Sequence, residues 1–378
     1  MTTPLNKEQK MTQKTAREFA RKQLAATAAE RDASHEYPAA NLKKMGELGF
    51  LGLLVSEKYG GMDSGTTAYS LALTEMAYSC ASTAVIMSVH SSICCTSIER
   101  FGSEEQKTEF LLPMADGDFI GAFALTEPEA GSDPRSLTCF AKQDGENYII
   151  NGTKRFITTG KNSGVIILLA KTDADEISAF LITHDLPGFE VGRVEDKMGQ
   201  CASDTTDLLF NDCIVPASRM LGKKGEGFKI AMSGLDAGRI GIASVSLGIA
   251  MAALDEAVKY VKQRKQFGKH ISDFQGIRWM LADMAMDVES AKHLVMNAAA
   301  VKERGENCTS EAAMAKCFAS EMVQRVTGQA IQLHGGYGYI KEYPVERFYR
   351  DARITTIYEG TNQIQRVIIA NELLKDKK

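Results

Sequence analysis

The sequence predicts a mainly α-helical chain with a central β-domain: an N-terminal helical domain, an antiparallel β-barrel or sandwich, then an antiparallel helix bundle. Proline placement is the first sign. Five of the eight prolines fall between residues 113 and 216, and the stretches 39–112 and 217–343 hold none. Proline costs ~3 kcal/mol in a helix interior, so the two empty stretches are the natural helical regions. The second sign is periodicity. Apolar residues recur at helical spacing in the outer regions, whereas the middle holds short β-branched and aromatic runs bounded by turns. The expected domains are 1–112, 113–222 and 223–378.

In the first region Met11, Thr15, Phe19 and Leu24 recur three to five apart. A second helix follows Pro38 through Ala40, Lys43, Glu47 and Leu48, and Gly60-Gly61 then breaks the chain. Leu71, Met76 and Tyr78 lead into a smooth apolar helix over 81–99. Its residues Ser88, Ser91, Ser92, Cys94, Cys95 and Thr96 are unusually small, which permits either close helix packing or a ligand cavity.

The middle region offers strands at 119–125, 148–150, 154–158, 164–170, 178–182 and 207–210. Asn151-Gly152 between two of them is a hairpin-turn signal. Short runs at this spacing suggest an antiparallel barrel or sandwich. In the last region Ile240, Ala243, Leu247, Met251, Leu254, Val258 and Val261 form one helical face. A second runs from Ile277 through Met284, Val288 and Val295 to Val301, and a third through Met314, Phe318, Met322 and Val326. Long amphipathic helices with short links make an antiparallel bundle.

Composition narrows the function. The 378 residues are 44% hydrophobic and 24% charged, ordinary for a globular protein. The net charge of -4 implies no general attraction to nucleic acid or anionic membrane. Eight cysteines without a C-x-x-C read as reduced thiols and core filler in a cytosol-like compartment. The N-terminal residues show no signal or transit pattern, so a cytoplasmic location is expected. The longest apolar runs read as too short to span a bilayer. Rossmann, P-loop, H-E-x-x-H and G-x-S-x-G motifs are all missing, and no Cys/His cluster suggests a metal.

One stretch near the end carries chemistry. In Tyr358-Glu359-Gly360-Thr361 a carboxylate stands on a turn just ahead of a helix that Thr361 caps, with Ile364, Val367, Ile368 and Leu373 as its apolar face. Such an end favours anions and offers unpaired N–H donors, and Gly360 lets another molecule approach the backbone closely. Four further motifs accompany it. Phe123-Ala124-Leu125-Thr126-Glu127-Pro128-Glu129-Ala130-Gly131-Ser132-Asp133 follows a strand end. Phe156-Ile157-Thr158-Thr159-Gly160, Arg264-Lys265-Gln266-Phe267-Gly268-Lys269 and Gln332-Leu333-His334-Gly335-Gly336-Tyr337-Gly338 each close an expected element.

Together and in this order, these motifs resemble the acyl-CoA dehydrogenase family over essentially the whole chain. The likeness is greatest to its short-chain (butyryl-CoA) branch, at 235–244 and 349–355. The resemblance implies a C-terminal four-helix bundle, with FAD between it and the β-domain and a neighbouring subunit completing the site. It implies that Phe123, Leu125, Thr126, Phe156 and Thr158 flank the isoalloxazine ring, Phe156 standing where many relatives have Trp. Ser132 is implied to serve the pyrophosphate and the thioester. Arg264, Phe267, Gln275, Gln332, Gly335 and Gly336 are implied to hold the pyrophosphate and adenine end, with Thr361 and Gln363 also in the cofactor site. A homotetramer, a dimer of dimers that reduces an electron-transfer flavoprotein, is implied as well.

The implied reaction is α,β-dehydrogenation of an acyl-CoA. Glu359 takes the α-proton while the β-hydride passes to flavin N5, and the N–H of Glu359 with a flavin ribityl hydroxyl stabilises the enolate oxygen. Some members carry the base at the position of Gly238, which glycine cannot serve. Asp236, Arg239 and Gly360 look like substrate-positioning residues, Arg239 also supporting the Glu359 turn. Ser91, Cys94 and Cys95 border the acyl pocket by similarity. A short acyl group is expected. The alternative is a short but wide pocket for branched or alicyclic groups such as cyclohexane-carboxyl-CoA. An oxidase of the same fold and a non-catalytic scaffold are the remote alternatives.

Overall fold

Small and apolar residues at helical spacing build the N-terminal part. In this computed structural model, which describes residues 4–174 and 176–375, helix α1 (Lys7–Phe19) passes through a π turn (Ala20–Leu24) into α2 (Ala25–Ser34). The outermost residues of the two end domains, 1–3 and 376–378, lie outside the described residues. Asn6 and Gln9 form a capping box at the start of α1. Then come α3 (Ala39–Glu47), α4 (Gly65–Ser79) and α5 (Ala81–Ser88). A second π turn (Val89–Cys95) joins α5 to α6 (Thr96–Phe101), and α7 (Glu104–Ala115) runs through Pro113. The helix expected over 81–99 is therefore continuous but bulged in its small-residue segment.

The strands follow: β1 (Gly121–Ala124), β2 (Phe140–Asp144), β3 (Asn147–Thr158), β4 (Val165–Lys171), β5 (Ile177–Ile182), β6 (Phe189–Val194), β7 (Thr205–Pro216) and β8 (Met220–Leu221). Seven lie in the order β6-β7-β3-β2-β4-β5-β8, and β1 pairs with β4. The sheet is mixed rather than purely antiparallel, because β1 runs parallel to β4 in the register Gly121 to Val165. A parallel pair needs a long connection, and the β2–β3 hairpin supplies it.

Asn151-Gly152 is not the hairpin turn. Strand β3 runs straight through it, with a bulge between Ile150 and Gly152. Gly152 has φ 147°, and a Cβ there would lie 2.8 Å from the Cys139 backbone of the neighbouring strand. The turn is instead at Gly145 (φ 60°), between Asp144 and Asn147.

The alternation along β4 shows why that strand is apolar throughout. Val165, Ile167 and Leu169 pack towards the second π turn, α6 and α7, while Ile166, Leu168 and Ala170 face Phe180, Ile182 and Phe210 inside the sheet. Both faces of β4 are buried.

Helix α8 (Gly227–Gln263) leads into a small hairpin of β9 (Lys265–Gln266) and β10 (Lys269–His270). Helices α9 (Gln275–Glu303), α10 (Thr309–His334), α11 (Val345–Arg353) and α12 (Asn362–Leu373) complete the bundle. The expected core faces of α8 and α9 are in place, but Met314 on α10 is 37% exposed. On α12 the buried residues are Asn362 and Gln365, while Val367 and Leu373 are exposed. The apolar face read from the sequence there is thus only partly covered, with Ile364 and Ile368 half-buried. The span expectation also needs correction. The segments Ala81–Phe101 and Gly227–Gln263 are long and apolar enough to cross a membrane by length and composition, yet both are almost wholly buried in the fold.

Candidate active site

The Glu359 turn is made by what brackets it. Helix α11 ends in a tight turn at Ile354–Thr356, where the N–H groups of Ile357 and Tyr358 both donate to the Ile354 carbonyl. Thr361 then caps α12, its hydroxyl accepting from the Ile364 N–H. Between these fixed points Glu359 takes φ 56° and Gly360 φ 87°. A left-handed glutamate is strained, and such strain persists only where surroundings over-determine it. Here Gln365 Nε2 donates to the carbonyls of Glu359 (3.1 Å) and Gly360 (2.9 Å), and Lys316 Nζ to that of Gly360 (2.8 Å). The Glu359 N–H donates to no protein group among the described residues.

The Glu359 carboxylate is aimed inward, and its Oε2 is buried without a hydrogen-bond partner. Burial pushes its pKa up to about 7, against the pull of Arg239 and Lys316. Across from it on α8 stands Gly238, where a Cβ would lie 2.7 Å from Oε2. The glycine that cannot itself be a base thus provides the room in which Glu359 sits. Tyr358, next to the base, is held from the other side, since Gln200 Nε2 donates to its hydroxyl (3.1 Å).

The flanking positions are held by β1 and β3. Phe123, Leu125, Thr126 and Thr158 are half-buried, and Phe156 is 56% exposed with φ 58°. The Arg155 N–H donates to the Thr126 carbonyl (2.9 Å) and ties the two segments together. Beneath them lies a buried ion pair that sequence reasoning missed. Lys154 Nζ is 2.7 Å from Glu127 Oε1 and also donates to the Leu125 carbonyl (3.0 Å). Glu127 accepts as well from the Thr138 and Cys139 N–H groups. Burial opposes its charge, but Lys154 and Thr138 outweigh burial and leave its pKa lowered. Ser132 is exposed on the loop that follows.

A second group gathers at the far end of the bundle. Arg264, Gln332, Gly335 and Gly336 line one cleft of about 440 Å³, together with Tyr260 and Tyr337. Cβ atoms added at Gly335 or Gly336 would meet nothing within 4 Å. Phe267 and Gln275 do not line this cleft; Phe267 is 90% exposed on the β9–β10 hairpin. Thr361 is part of the base turn, and Gln363 is exposed beside it.

Arg239 is buried and paired with Asp236, whose other oxygen accepts from the Thr309 hydroxyl (3.0 Å). It acts on the Glu359 turn through its charge. Ser91, Cys94 and Cys95 are fully buried. The Ser91 hydroxyl donates to the Leu51 carbonyl (3.2 Å), and Cys94 packs against Gly121, where a Cβ would lie 2.5 Å from the Cys94 Cβ. Cys94 thus packs closely on β1, and Ser91 ties the bulged helix to Leu51. Lys316, Gln365 and the Glu127–Lys154 pair were the positions overlooked. A lysine amid the apolar run of α10 was the available signal for one of them.

Comparison with known proteins bears on the whole chain. Residues 6–118, 122–213 and 225–374 match the N-terminal, middle and C-terminal domains of acyl-CoA dehydrogenase. The chain is 46% identical over 375 residues to a short-chain specific acyl-CoA dehydrogenase of Clostridium acetobutylicum, covering 98% of this chain and 99% of that one. The solved butyryl-CoA dehydrogenase of Megasphaera elsdenii superposes with a TM-score of 0.97 at 45% identity, covering 99% of this chain and 100% of the other. A chain from the structure described as the electron transferring flavoprotein of Acidaminococcus fermentans superposes with a TM-score of 0.98 at 48% identity, with full coverage of both. With all three domains matched in order, this chain belongs to the acyl-CoA dehydrogenase family.

Proposed function

We propose that this protein dehydrogenates a short acyl-CoA, butyryl-CoA best, with Glu359 as the base that removes the α-proton. The buried, unpartnered Oε2 of Glu359 carries this reading. A carboxylate at its ordinary pKa is too weak for a thioester α-proton, and burial raises this one to about 7. The Cα–H bond breaks, its proton goes to Glu359 Oε2, and the electron pair passes towards the thioester oxygen. The free Glu359 N–H is a donor for that oxygen as charge develops. Asp236 and Arg239 would help position the thioester beside the base.

The residues present fit FAD. Phe156 offers an exposed aromatic face beside Thr158, Leu125 and Thr126. The Arg264 cleft presents a guanidinium, an amide and bare glycine backbone with no carboxylate in its lining, as a pyrophosphate requires. Bound there, FAD supplies the acceptor for the β-hydride. Ser132, Phe267, Gln275, Thr361 and Gln363 would complete its contacts, some across a subunit boundary.

The wide-pocket alternative is not favoured. Two of the small residues that suggested it, Ser91 and Cys94, contact Leu51 and Gly121, and the relatives compared are named for short-chain or butyryl substrates. An electron-transfer flavoprotein is the natural acceptor, supported by the Acidaminococcus likeness. A homotetramer is supported by apolar side chains left exposed on one protomer: Phe267 (90%), Tyr339 (88%), Trp279 (62%) and Met286 (62%). The division into units 1–112, 113–222 and 223–378 is part of the same reading. The test is a panel of acyl-CoA thioesters with an artificial electron acceptor. The purified yellow protein should turn over butyryl-CoA with the highest kcat/KM. A colourless protein, or one that prefers cyclohexane-carboxyl-CoA, contradicts the proposal.

A further inference from the structure

Lys316 is a buried cation that the reaction scheme above does not use. It lies on α10 with no exposed surface, and its Nζ donates to the Gly360 carbonyl (2.8 Å) and Asn362 Oδ1 (3.0 Å). Both acceptors are neutral. Among the described residues Lys316 makes no ion pair, although a buried ammonium is costly unless its charge is balanced. The charges that could balance it are few. Arg239, the other cation facing Glu359, is in contact with Asp236. Glu321, near Lys316, is in contact with Arg366. The Glu359 carboxylate is left, one residue before the carbonyl that Lys316 holds.

We infer that Lys316 is a positioning residue for the base: its Nζ fixes the Gly360 carbonyl, and so the aim of Glu359, while its charge keeps that carboxylate ionised until it receives the substrate proton. The inference rests on the reading of Glu359 as the base. The turn geometry supports the first half. Glu359 and Gly360 both have left-handed φ, a conformation that relaxes unless held, and Lys316 and Gln365 converge on the same carbonyl oxygen from two helices. The charge balance supports the second half. Burial pushes Lys316 down to about 8, and Glu359 is the strongest influence holding it up.

Other groups face the pair. Tyr69 on α4, Cys94 on the π turn and Tyr358 on the turn itself face Glu359, while Cys317 and Glu321 face Lys316. Burial raises Tyr69, Cys94, Tyr358 and Cys317, so they stay neutral near pH 7. Arg239 and Lys316 are thus the cations set against the base.

The test is the pH profile of kcat/KM for butyryl-CoA in the FAD-loaded wild type, K316M, K316Q and K316R, with E359Q as control. The acid limb reports ionisation of the base. Removing the cation should move that limb up by about one pH unit in both K316M and K316Q, and K316R should leave it in place. K316Q keeps a shorter donor that can still reach Gly360 and should lose less plateau kcat than K316M, which has none and should lose roughly tenfold in kcat at nearly constant KM. A merely structural lysine would not move the acid limb. Limbs of K316Q and wild type that superimpose overturn the inference, as does a K316R limb displaced as far as that of K316Q. Should K316M fail to accumulate, K316Q and K316R decide the matter. An active E359Q would instead remove the base reading itself.

Discussion

Replacing Gly238 by alanine tests the geometry around the base. Position 238 lies inside α8, where alanine is the better helix former by about 1 kcal/mol. By that measure the change is harmless. The site says otherwise, because the new Cβ would stand 2.7 Å from Glu359 Oε2 and 3.0 Å from Cδ. Non-bonded heavy atoms settle at about 3.5 Å, so the carboxylate must retreat by roughly 0.8 Å. What blocks the Cβ is the end of a flexible side chain, so the helix keeps its place and the base moves. A misplacement near 1 Å costs up to ~10²-fold in rate, so G238A should lose about 30-fold to 100-fold in kcat for butyryl-CoA. Its flavin absorbance and melting temperature should stay near wild type. The assay is steady-state turnover with a dye acceptor. A G238A kcat within about twofold of wild type would refute the placement of the Glu359 carboxylate against α8.

Other consequences can be measured. Lys154→Met leaves the Glu127 carboxylate buried without its partner, which should cost about 3–5 kcal/mol and lower Tm by several degrees, with flavin loss preceding unfolding; an unchanged Tm contradicts this. Glu359 should also be a stability liability above neutral pH. Its folded pKa of about 7 exceeds the ordinary 4.5, so the folded state binds more protons and stability falls as pH rises through that window. E359Q should therefore be more stable than wild type at pH 8, by at most about 3 kcal/mol and with a correspondingly higher Tm, and the gain should vanish below pH 4.5. Light scattering should find a tetramer, and Phe267→Ser should both loosen it and release FAD, whereas a FAD-replete monomer is the opposing result.

Much of the fold was legible because its signals are local. Proline placement separated the helical from the β regions, and the periodicity of α8 and α9 gave their buried faces. The capped turn at Glu359 was also readable, because Thr361 and Gly360 announce it within a few residues. What failed depended on distant neighbours. Asn151-Gly152 carries a turn signal, but its partners on β2 and β7 keep it in a strand as a bulge. The parallel β1–β4 pair leaves no local trace, since either orientation suits the same apolar run. On α12 the apolar spacing was readable but its burial was not, since Val367 and Leu373 are exposed while Ile364 and Ile368 are half-buried. Lys316 and Lys154 escaped notice for a related reason, since a lone lysine reads as solvated until a carbonyl or carboxylate is seen against it.

The most direct measurement of the central claim is the anaerobic reaction of E359Q with butyryl-CoA, followed by flavin absorbance. Glutamine keeps the size and hydrogen bonding of the side chain but is not a base. Wild type should bleach rapidly on mixing. E359Q should bind FAD and show a ligand-induced spectral shift, yet bleach at least ~10²-fold more slowly. Bleaching of E359Q within about tenfold of the wild-type rate would contradict the assignment of Glu359 as the base.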